Sequence, residues 1–488
     1  MMRFRHLLRT FLVMSMFMGV AMQLSAKTYS KKTFLAPRAV GTNLPMELTT
    51  WHELAYQKLE KKHGHSIFSH LTMTPFYQAS DNKDDVGEYF GIGNGKNNFT
   101  IGVDGTADIS GYLFIHDALS ASAPVGGTVK FDPKQEIWGA RFDYFQSFSH
   151  PFGGLFFKAS MPVVYVKNNV GMSISDPVTA TIGGEDFTLS NFFAGNVEVT
   201  TAMDPDNRNL QLPLTHAKIA GDESKFGVAD INLALGYKIH ETKTDHIYLS
   251  AQIDIPTGSR PNGEFLLQPV LGNGKHFGLG ARLDGAVELW SNKNAAVRAL
   301  LDIDYRYLFE SGENRTVGVK GLNLAHYYMA GKLGQDEAPL FPAANVLTQS
   351  IRVKPGSQFD LLADLSFKSG GFVLDLGYNF FYKDEEDCWV KNWTDGVYAL
   401  ATEDYSTAIK FGEDPDFILS YLNMTDLDVD AVKTPSQVTN KIFAGLGYQF
   451  NYSKSVPGLV GIGGSYEFAS DNAALEYYSV WLKLGVSF

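Results

Sequence analysis

Histidine and acidic side chains are the residue types here that most often take part in chemistry, and one group of them suggests a metal site. His52 and Glu53 begin like the helix of a zinc protease, but Tyr56 stands where the second histidine ligand must be. The other candidate ligands are His63, His65 and His70. Histidines in a connecting segment are more often unliganded, so we predict no bound metal and no other cofactor.

Nucleophilic catalysis has no signature in the sequence either. The motif Gly-x-Ser-x-Gly does not occur, and the residues around His246 and His276 show no arrangement that would pair a histidine with a nucleophile. Cys388 is the only cysteine, so an intrachain disulfide is impossible. We therefore predict that the protein is not an enzyme.

A run of acidic residues follows Lys383, and further acidic residues occur later in the same connection. They are Asp384, Glu385, Glu386, Asp387, Asp426, Asp428 and Asp430. Clustered carboxylates can bind calcium, whereas the alternative is a solvated extracellular loop. We favour the solvated loop and assign no role to this connection, which covers residues 384–437.

Charged residues also recur within apolar stretches, at every second position. In the stretch VRALLDIDYRYLF, Leu301 and Ile303 alternate with Asp302 and Asp304, which is the period of a half-buried β-strand. If such strands form a membrane barrel, their apolar faces contact lipid and their charged faces line a hydrated lumen. The predicted lumen-facing charged residues are Asp230, Asp254, Arg282, Asp284, Glu288, Arg298, Asp302, Asp304, Arg306, Asp364 and Asp375.

The same alternation recurs along the chain, and short turns between the segments alternate with mostly long loops. The segments lie near residues 99–115, 136–148, 152–167, 225–240, 246–258, 275–291, 295–309, 357–368, 371–384, 438–452, 458–468 and 475–488. Short turns on one side and long loops on the other are typical of outer-membrane barrels. The sequence predicts an all-β fold, an antiparallel transmembrane β-barrel of twelve strands, or of fourteen if residues 66–98 add a hairpin.

Aromatic residues and the last strand favour lipid over a soluble core. The aromatic residues near strand ends, where such rings prefer a membrane interface, are Tyr305, Tyr307, Phe309, Tyr378, Phe380, Tyr382, Tyr448, Phe450 and Tyr452. The apolar face of the last strand consists of Val480, Leu482, Leu484, Val486 and Phe488. We predict that this face is the signal recognised by the barrel assembly machinery.

The beginning of the chain predicts export. Arg3, Arg5 and Arg9 precede an uncharged stretch that runs to small residues at Ala26, which indicates a cleaved signal peptide at residues 1–26, although cleavage after Ala21 would also fit. The predicted destination is the bacterial outer membrane, with its lipid and lipopolysaccharide as partners. A net charge of -12 argues against nucleic-acid binding.

An N-terminal extension, residues 27–98, precedes the predicted barrel at residues 99–488. Within the extension, TWHELAYQKLEKKHG at residues 50–64 has the capping and spacing of a short amphipathic helix. This helix could plug the lumen, or it could rest on the barrel mouth or the membrane surface. Both interpretations remain open at this point.

One region resembles a known family. GVADINLALGYKI is followed by a strand that ends at Pro256-Thr257-Gly258, and then by Gly272-Asn273-Gly274 before the next strand. Over residues 225–290 this pattern resembles outer-membrane transporters associated with phenol degradation, relatives of the long-chain fatty acid and aromatic hydrocarbon transporters. The resemblance implies a barrel of twelve to fourteen strands with an N-terminal plug that passes small hydrophobic molecules. The chain lacks the hatch motif of the fatty acid transporters.

The predicted function is passive passage of small molecules through an outer-membrane channel or transporter. An acidic excess in the lumen would favour cations, whereas a hydrophobic cargo would need an apolar groove, for which Phe156, Phe381 and Phe443 are candidates. The alternative is a surface protein whose long loops mediate adhesion or host interaction, because connections near fifty residues are uncommon without a function. The cargo itself cannot be read from the sequence.

Overall fold

A computed structural model describes most of the chain. The described residues are 27–50, 68–102, 105–114, 125–148, 153–182, 184–200, 203, 211–242, 244–332, 339–401, 420–453 and 456–488. The predicted signal peptide lies outside the described residues, as does the predicted amphipathic helix beyond Thr50. The candidate metal ligands His52, His63 and His65 also lie outside them.

Twelve antiparallel strands form a closed barrel, which confirms the predicted fold class. The strands are β1 (Phe68–Ser80), β2 (Lys134–Ser147), β3 (Leu155–Asn169), β4 (Ile231–Glu241), β5 (His246–Ile255), β6 (Gly278–Ser291), β7 (Ala295–Leu308), β8 (Gly356–Ser369), β9 (Phe372–Lys383), β10 (Gln437–Ser453), β11 (Val456–Ala469) and β12 (Tyr477–Ser487). β1 closes the ring, because His70 lies opposite Ser487 of β12 and opposite Phe145 of β2.

The first strand differs from the prediction. Residues 99–115 do not enter the barrel, because Asn98–Gly102 belongs to a separate four-stranded sheet. β1 takes that place, and the second half of the predicted hairpin falls largely in the helix Lys83–Phe90. The barrel therefore begins at residue 68 and not at 99. The inward positions of β1 include the buried Thr72 and Thr74 instead of charged residues, which makes the alternation harder to see in the sequence.

The two faces of the barrel wall have opposite character. In β6, Leu279 and Leu283 are 50% and 38% exposed, whereas Arg282 and Asp284, which flank Leu283, are 7% and 2% exposed. An apolar outer face around a charged interior is the arrangement of a transmembrane barrel. Among the described residues, no helix combines the length and apolar character needed to cross a membrane.

Short turns lie on one side of the barrel and long connections on the other, as predicted. The short connections are residues 148–154, 242–245, 292–294, 370–371 and 454–455. We call the opposite side the cap, which comprises the described parts of residues 27–35, 81–133, 170–221, 256–277, 309–355, 384–436 and 470–476. The strand Asp222–Val228 leads from the cap into β4 and pairs with β3 above it.

The cap has its own short strands and helices. Its strands are Asn98–Gly102, Ile109–Ser110, Gly126–Lys130, Ser173–Val178, Ala180–Ile182, Glu185–Phe187, Ser311–Thr316, Gly318–Val319, Met329–Lys332, Phe341–Pro342, Thr348–Lys354, Asp387–Val390, Tyr398–Leu400, Ser420–Tyr421 and Leu427–Asp428. Its α-helices are Lys83–Phe90, Leu189–Ala194 and Ala344–Leu347. Single 3-10 turns occur at Gly111–Leu113, Ala325–Tyr327, Met424–Asp426 and Val429–Val432.

A shared apolar core holds these connections together. The helix Lys83–Phe90 illustrates how they join it: Asp84 and Asp85 lie in its first turn, where negative charge is favourable, and Tyr89 and Phe90 are completely buried. The same core includes Leu35 from the N-terminal residues. The cap is therefore one packed unit assembled from separate connections.

Candidate functional site

The lumen is occupied by residues 36–50, which we call the plug segment. At the cap end of the barrel, the carbonyl oxygen of Ala36 accepts hydrogen bonds from Lys383 and Gln437. At the other end of the plug segment, the backbone N–H of Thr50 donates to Asp375 of β9. Because Lys383 and Asp375 lie at opposite parts of β9, the plug segment runs along the barrel axis.

Local sequence explains the shape of the plug segment. A 3-10 turn at Val40–Thr42 leads into the short helix Leu44–Leu48, in which Pro45 occupies a first-turn position that lacks an intrahelical hydrogen bond anyway. Leu44, Met46 and Leu48 pack into an apolar cluster whose barrel-wall members include Phe76, Phe443 and Trp481. The chain then turns at Thr50, which has a left-handed φ of 63°.

Glycines make room for that turn. A Cβ atom at Gly447 would lie 2.7 Å from the Thr50 side chain, and one at Gly461 would lie 2.9 Å from it. Any larger residue at either position would collide with the plug segment. These two inward-facing glycines of β10 and β11 therefore fit the wall to the plug segment.

Arg38 ties the upper part of the plug segment to three strands. Its guanidinium lies 2.5 Å from Asp360 of β8 and 3.0 Å from Glu467 of β11, and it donates to Asn379 of β9. The same group lies 4.4 Å from the centroid of the Phe381 ring. All of these partners lie near the cap end of the barrel, so Arg38 closes the lumen there.

Glu47 ties the lower part through two arginines. Its carboxylate lies 2.5 Å from Arg141 of β2 and 2.6 Å from Arg282 of β6. Arg141 also donates to the carbonyl oxygen of Gly41, and Arg282 continues to Asp302 of β7 at 2.8 Å. A chain of alternating charges thus crosses the lumen through Glu47.

A lysine from the last strand completes these contacts. Lys483 of β12 donates to the carbonyl oxygens of Glu47 and Thr49, at 2.6 and 2.8 Å. These two carbonyl groups lie at the end of the short helix, where a cation is favourable. The plug segment is therefore held by side chains from many strands around the ring.

The structure places the predicted lumen-facing residues in three arrangements. Those that are at least nine-tenths buried in the interior are Asp230, Asp254, Arg282, Asp284, Asp302, Asp304, Arg306, Asp364 and Asp375. Within the described residues, Arg282 and Asp375 contact the plug segment, whereas Arg306 pairs with Asp304 at 2.9 Å. Glu288 and Arg298 are only half-buried and lie opposite each other toward the short-turn side.

The prediction of an acidic excess in the lumen left several basic residues out. Lysines alternate inward on several strands, as Lys158 of β3, Lys441 of β10 and Lys483 of β12 show. Together with the arginines, they add positive charge beside the inward carboxylates. The alternation of apolar and charged residues that identified the acidic strands also places these lysines on the inner face. Arg38 and Glu47 lie outside any periodic segment, so no sequence pattern indicates them.

Three phenylalanines that were candidates for an apolar groove pack in different places. Phe156 stacks on Phe145 with ring centroids 5.5 Å apart. Phe381 lies against Arg38, and Phe443 fills the space beside Gly377, where a Cβ atom would lie 2.2 Å from its ring. Each one closes a gap in the packed interior, and the predicted common groove is not formed.

Three of the remaining candidate metal ligands have structural roles. His70 contacts the Ser487 hydroxyl at 2.9 Å, and in the described part of the chain no three His, Cys, Asp or Glu residues are arranged to hold a metal ion. Glu386, predicted in a solvated loop, is 2% exposed and bonds Arg315 at 2.6 Å. Asp428 accepts backbone hydrogen bonds from the residues that follow it. These two acidic residues organise the cap.

The residues that carried the sequence resemblance converge on one carboxylate. Asp230 accepts hydrogen bonds from the backbone N–H groups of Gly258 at 3.1 Å and Asn273 at 2.6 Å. At Gly272, which has a φ of 73°, a Cβ atom would lie 2.5 Å from the Asp230 carboxylate. Asp230 thus fixes both ends of the connection between β5 and β6 over the cap end of the barrel.

The predicted assembly signal lies on the lipid-facing surface. Val480, Leu482, Leu484, Val486 and Phe488 are each between 42% and 55% exposed on β12. Recognition of these residues by the assembly machinery stays a prediction. Deleting Phe488 should lower the heat-modifiable folded fraction in membranes.

No protein family model matches the chain, and no curated protein matches it. Solved structures that resemble it include an outer-membrane channel from Pseudomonas putida F1 (TM-score 0.38, 10% identity, 88% of this chain and 100% of that one). The CymD monoaromatic hydrocarbon channel follows (TM-score 0.29, 10% identity, 95% and 97%), as does a Pseudomonas aeruginosa FadL homologue (TM-score 0.30, 9% identity, 86% and 90%). The similarity of the chain to each of these structures is low.

Proposed function

We propose that this protein is an outer-membrane channel for the passive passage of small molecules, with the plug segment closing the lumen. The observation that carries this proposal is how the plug segment is held: ion pairs and hydrogen bonds from a polar wall act beside the apolar contacts of Leu44, Met46 and Leu48. Water can replace such contacts at a small net cost, so the lumen can empty without the barrel unfolding.

Emptying the lumen would expose a wall that carries both signs of charge. Arg141 and Lys483 would face acidic residues such as Asp360 and Asp375. A wall of this kind favours neither cations nor anions strongly. We therefore propose that the channel has weak ion selectivity. Its cargo would be small solutes, hydrophobic compounds among them, and the plug segment would set the rate of passage.

The experiment that tests this proposal replaces residues 36–50 by a Gly/Ser sequence of the same length. The replacement keeps the connection to the cap but removes Arg38 and Glu47. In planar bilayers we expect small, rare currents for the refolded wild type and a conductance larger by about an order of magnitude or more for the variant, because an unplugged lumen is continuous. A folded, heat-modifiable variant that conducts no more than the wild type would contradict the proposal.

A surface-binding role is a second candidate, because the cap has an apolar core of its own and is larger than a simple closure requires. In that case the barrel acts as an anchor. Removal of the cap connection at residues 384–436 should then abolish binding to cells and leave barrel folding intact. Recordings on the wild type separate the two roles, since a barrel that serves only as an anchor passes no current.

A further inference from the structure

The residues that precede the plug segment, which we call the tether (residues 29–35), are built into the cap. Phe34 and Leu35 are 7% and 4% exposed. The backbone of the tether also makes hydrogen bonds of 2.7 to 3.1 Å to three separate cap connections. The partners are the Asn472 side chain, the carbonyl oxygens of Tyr89, Gly91 and Ala431, and the Tyr89 hydroxyl. The tether is therefore held in the same way as the rest of the cap.

The other end of the plug segment is held by side chains of the barrel wall. Asp375 accepts a hydrogen bond from the backbone N–H of Thr50, and Lys483 donates to the carbonyl oxygens of Glu47 and Thr49. Water can take the place of each of these partners once the segment separates from the wall. The hydrogen bonds at this end thus differ from those of the tether, which lie against the apolar core of the cap.

Buried polar atoms without partners also distinguish the two ends. Asn43 and Thr50 are 5% and 3% exposed, yet among the described residues both polar atoms of the Asn43 side chain and the Thr50 hydroxyl have no hydrogen-bond partner. A buried polar group without a partner costs free energy, and contact with water removes that cost. In the described part of the chain, no side-chain atom of the tether is in this position. Release to water would therefore relieve the lower part of the plug segment, whereas the tether would only lose its contacts.

The chain on both sides of the plug segment limits where the segment can go. The tether lies at the cap end, and β1 begins at the short-turn side with Phe68, so the chain between them passes through the lumen in every folded state. The plug segment can still become longer and thinner. An α-helix rises about 1.5 Å per residue and is about 10–12 Å wide, whereas an extended chain rises about 3.3 Å per residue. Unwinding the five-residue helix Leu44–Leu48 would lengthen the segment by roughly 9 Å and free part of the cross-section.

We propose that the channel opens by extension of the plug segment toward the short-turn side, while the tether stays fixed in the cap. Residues 43–50 leave the wall first, and Arg38, which lies next to the tether, leaves it last. This inference rests on the proposed function and adds which end of the plug segment moves. It also means that residues 29–35 remain at the cap in both the closed and the open channel.

The test uses two disulfide locks, each in a Cys388→Ala background that removes the native thiol. The lower lock, Thr50→Cys with Gly461→Cys, joins the moving end to the wall. A Cβ atom at Gly461 would lie 2.9 Å from the hydroxyl oxygen of Thr50 and 3.4 Å from its methyl group, and Thr50→Cys removes both. The upper lock, Ser30→Cys with Gly93→Cys, joins the tether to the cap, where the two Cβ atoms would be 3.7 Å apart, a separation that suits a disulfide.

Opening is recorded in planar bilayers with each lock formed and again after reduction with dithiothreitol. We expect the lower lock to reduce the opening frequency by at least about tenfold, because the end that must move is bonded to β11, and we expect reduction to restore it. The upper lock should leave the opening frequency unchanged. Suppression of opening by the upper lock, or unchanged opening with the lower lock formed, would overturn the proposal.

Amide hydrogen exchange of the folded wild type gives a second readout, which requires neither conduction nor a variant. The amides of Lys31, Lys32 and Thr33 should exchange at least about tenfold more slowly than those of Thr49 and Thr50, because opening exposes only the lower end. Equal exchange at the two ends would overturn the proposal even in a protein that conducts. If the wild type and both locked variants passed no current, the proposed function would fail, and the exchange pattern would still decide whether the tether outlasts the lower end.

Discussion

The cap and the lumen are both densely packed, but different interactions pack them. In the cap, Phe114 meets Phe192 and Phe193 edge-on, with ring centroids 5.5 and 5.9 Å apart, and the surrounding core is largely apolar. In the lumen, Arg38 and Glu47 meet charged partners on the wall. The cap is held chiefly by apolar burial, whereas the plug segment is held by charge pairs together with the apolar contacts of Leu44, Met46 and Leu48.

This difference indicates which part of the molecule can move. Apolar burial is lost when its surface meets water, so the cap resists opening. A buried ion pair contributes little net stability, because its partners recover hydration when they separate. We therefore expect the plug segment to leave its place more readily than the cap opens.

The cap contains one cluster that breaks this pattern. Arg315 is 1% exposed and bonds Glu313, Glu386 and the carbonyl oxygen of Val432. Its guanidinium carbon lies 3.6 Å from the centroid of the Phe34 ring. This charged cluster lies within the otherwise apolar cap. Removing it therefore tests how far the cap depends on charge.

Replacing Arg315 by Met should have the largest effect on the cap. It leaves the buried carboxylates Glu313 and Glu386 without the guanidinium that bonds both of them, which costs about 3–5 kcal/mol. We expect amide hydrogen exchange in the strand Thr348–Lys354, which pairs with Ser311–Thr316, to accelerate by about two orders of magnitude or more. Exchange in the barrel strands should change little.

Arg352→Met is the matched control, because Arg352 lies on the same strand. It is half-buried, and its partner Glu310 lies 3.0 Å away, so its loss should cost roughly 0–1 kcal/mol. Equal exchange rates in the two variants would mean that the buried cluster does not support the cap.

The pH dependence of the cap should follow Glu386. Burial by itself would raise the pKa of Glu386, but the positive charges of Arg315 and Lys383 lower it to about 2, from an ordinary value of 4.5. A carboxyl whose folded-state pKa is depressed adds stability above its unfolded pKa and loses it as pH falls through the folded pKa. This contribution, on the order of 3 kcal/mol, should therefore be complete at pH 6 and disappear between pH 4.5 and 2.

Comparison with Glu386→Gln isolates this contribution from other carboxylates. The stability difference between wild type and variant, measured by exchange in the cap, should be largest at pH 6 and should shrink below pH 4.5. A difference that stays constant down to pH 2 would show that ionisation of Glu386 is not what supports the cap.

Strands with a charged inner face could be predicted from the sequence almost to the residue. The predicted strands at 295–309 and 357–368 correspond to Ala295–Leu308 and Gly356–Ser369, because apolar and charged residues alternate there without interruption. β1 was predicted only as part of an optional hairpin at residues 66–98, since its inward threonines weaken the contrast between the two faces. The segment at 99–115 was wrongly predicted to be a barrel strand, because its apolar residues are buried in the cap core and do not face lipid.

The plug segment could not be predicted in the same way. Its contacts join residues more than 300 positions apart, such as Arg38 with Asp360, and a short non-periodic segment gives no pattern that reveals distant partners. A plug was one of two interpretations of the helix predicted at residues 50–64, and that helix lies outside the described residues beyond Thr50. By contrast, Asp230 and Gly272 could be singled out as a motif, although their contact became visible only in the structure.

The smallest predicted effect concerns Glu47, which helps to hold the plug segment in the lumen. Glu47→Gln keeps the size of the side chain but removes the charge that Arg141 and Arg282 share. Each arginine retains a second carboxylate, Asp143 or Asp302, so the loss should be limited to about 1.5 kcal/mol, the value of one charge-assisted hydrogen bond. In single-channel recordings the fraction of time spent open should rise by roughly tenfold.

The control for this variant is Glu264→Gln, which weakens the partly exposed pair with Lys218 in the cap and should leave channel opening unchanged. Hydrogen exchange in the cap should be the same for Glu47→Gln as for the wild type, because the plug segment and the cap core are held independently. If Glu47→Gln accelerated exchange throughout the cap, the two fillings would form one cooperative unit. Opening would then require the cap to loosen with the plug segment, and the separation between a persistent and an exchangeable part would not hold.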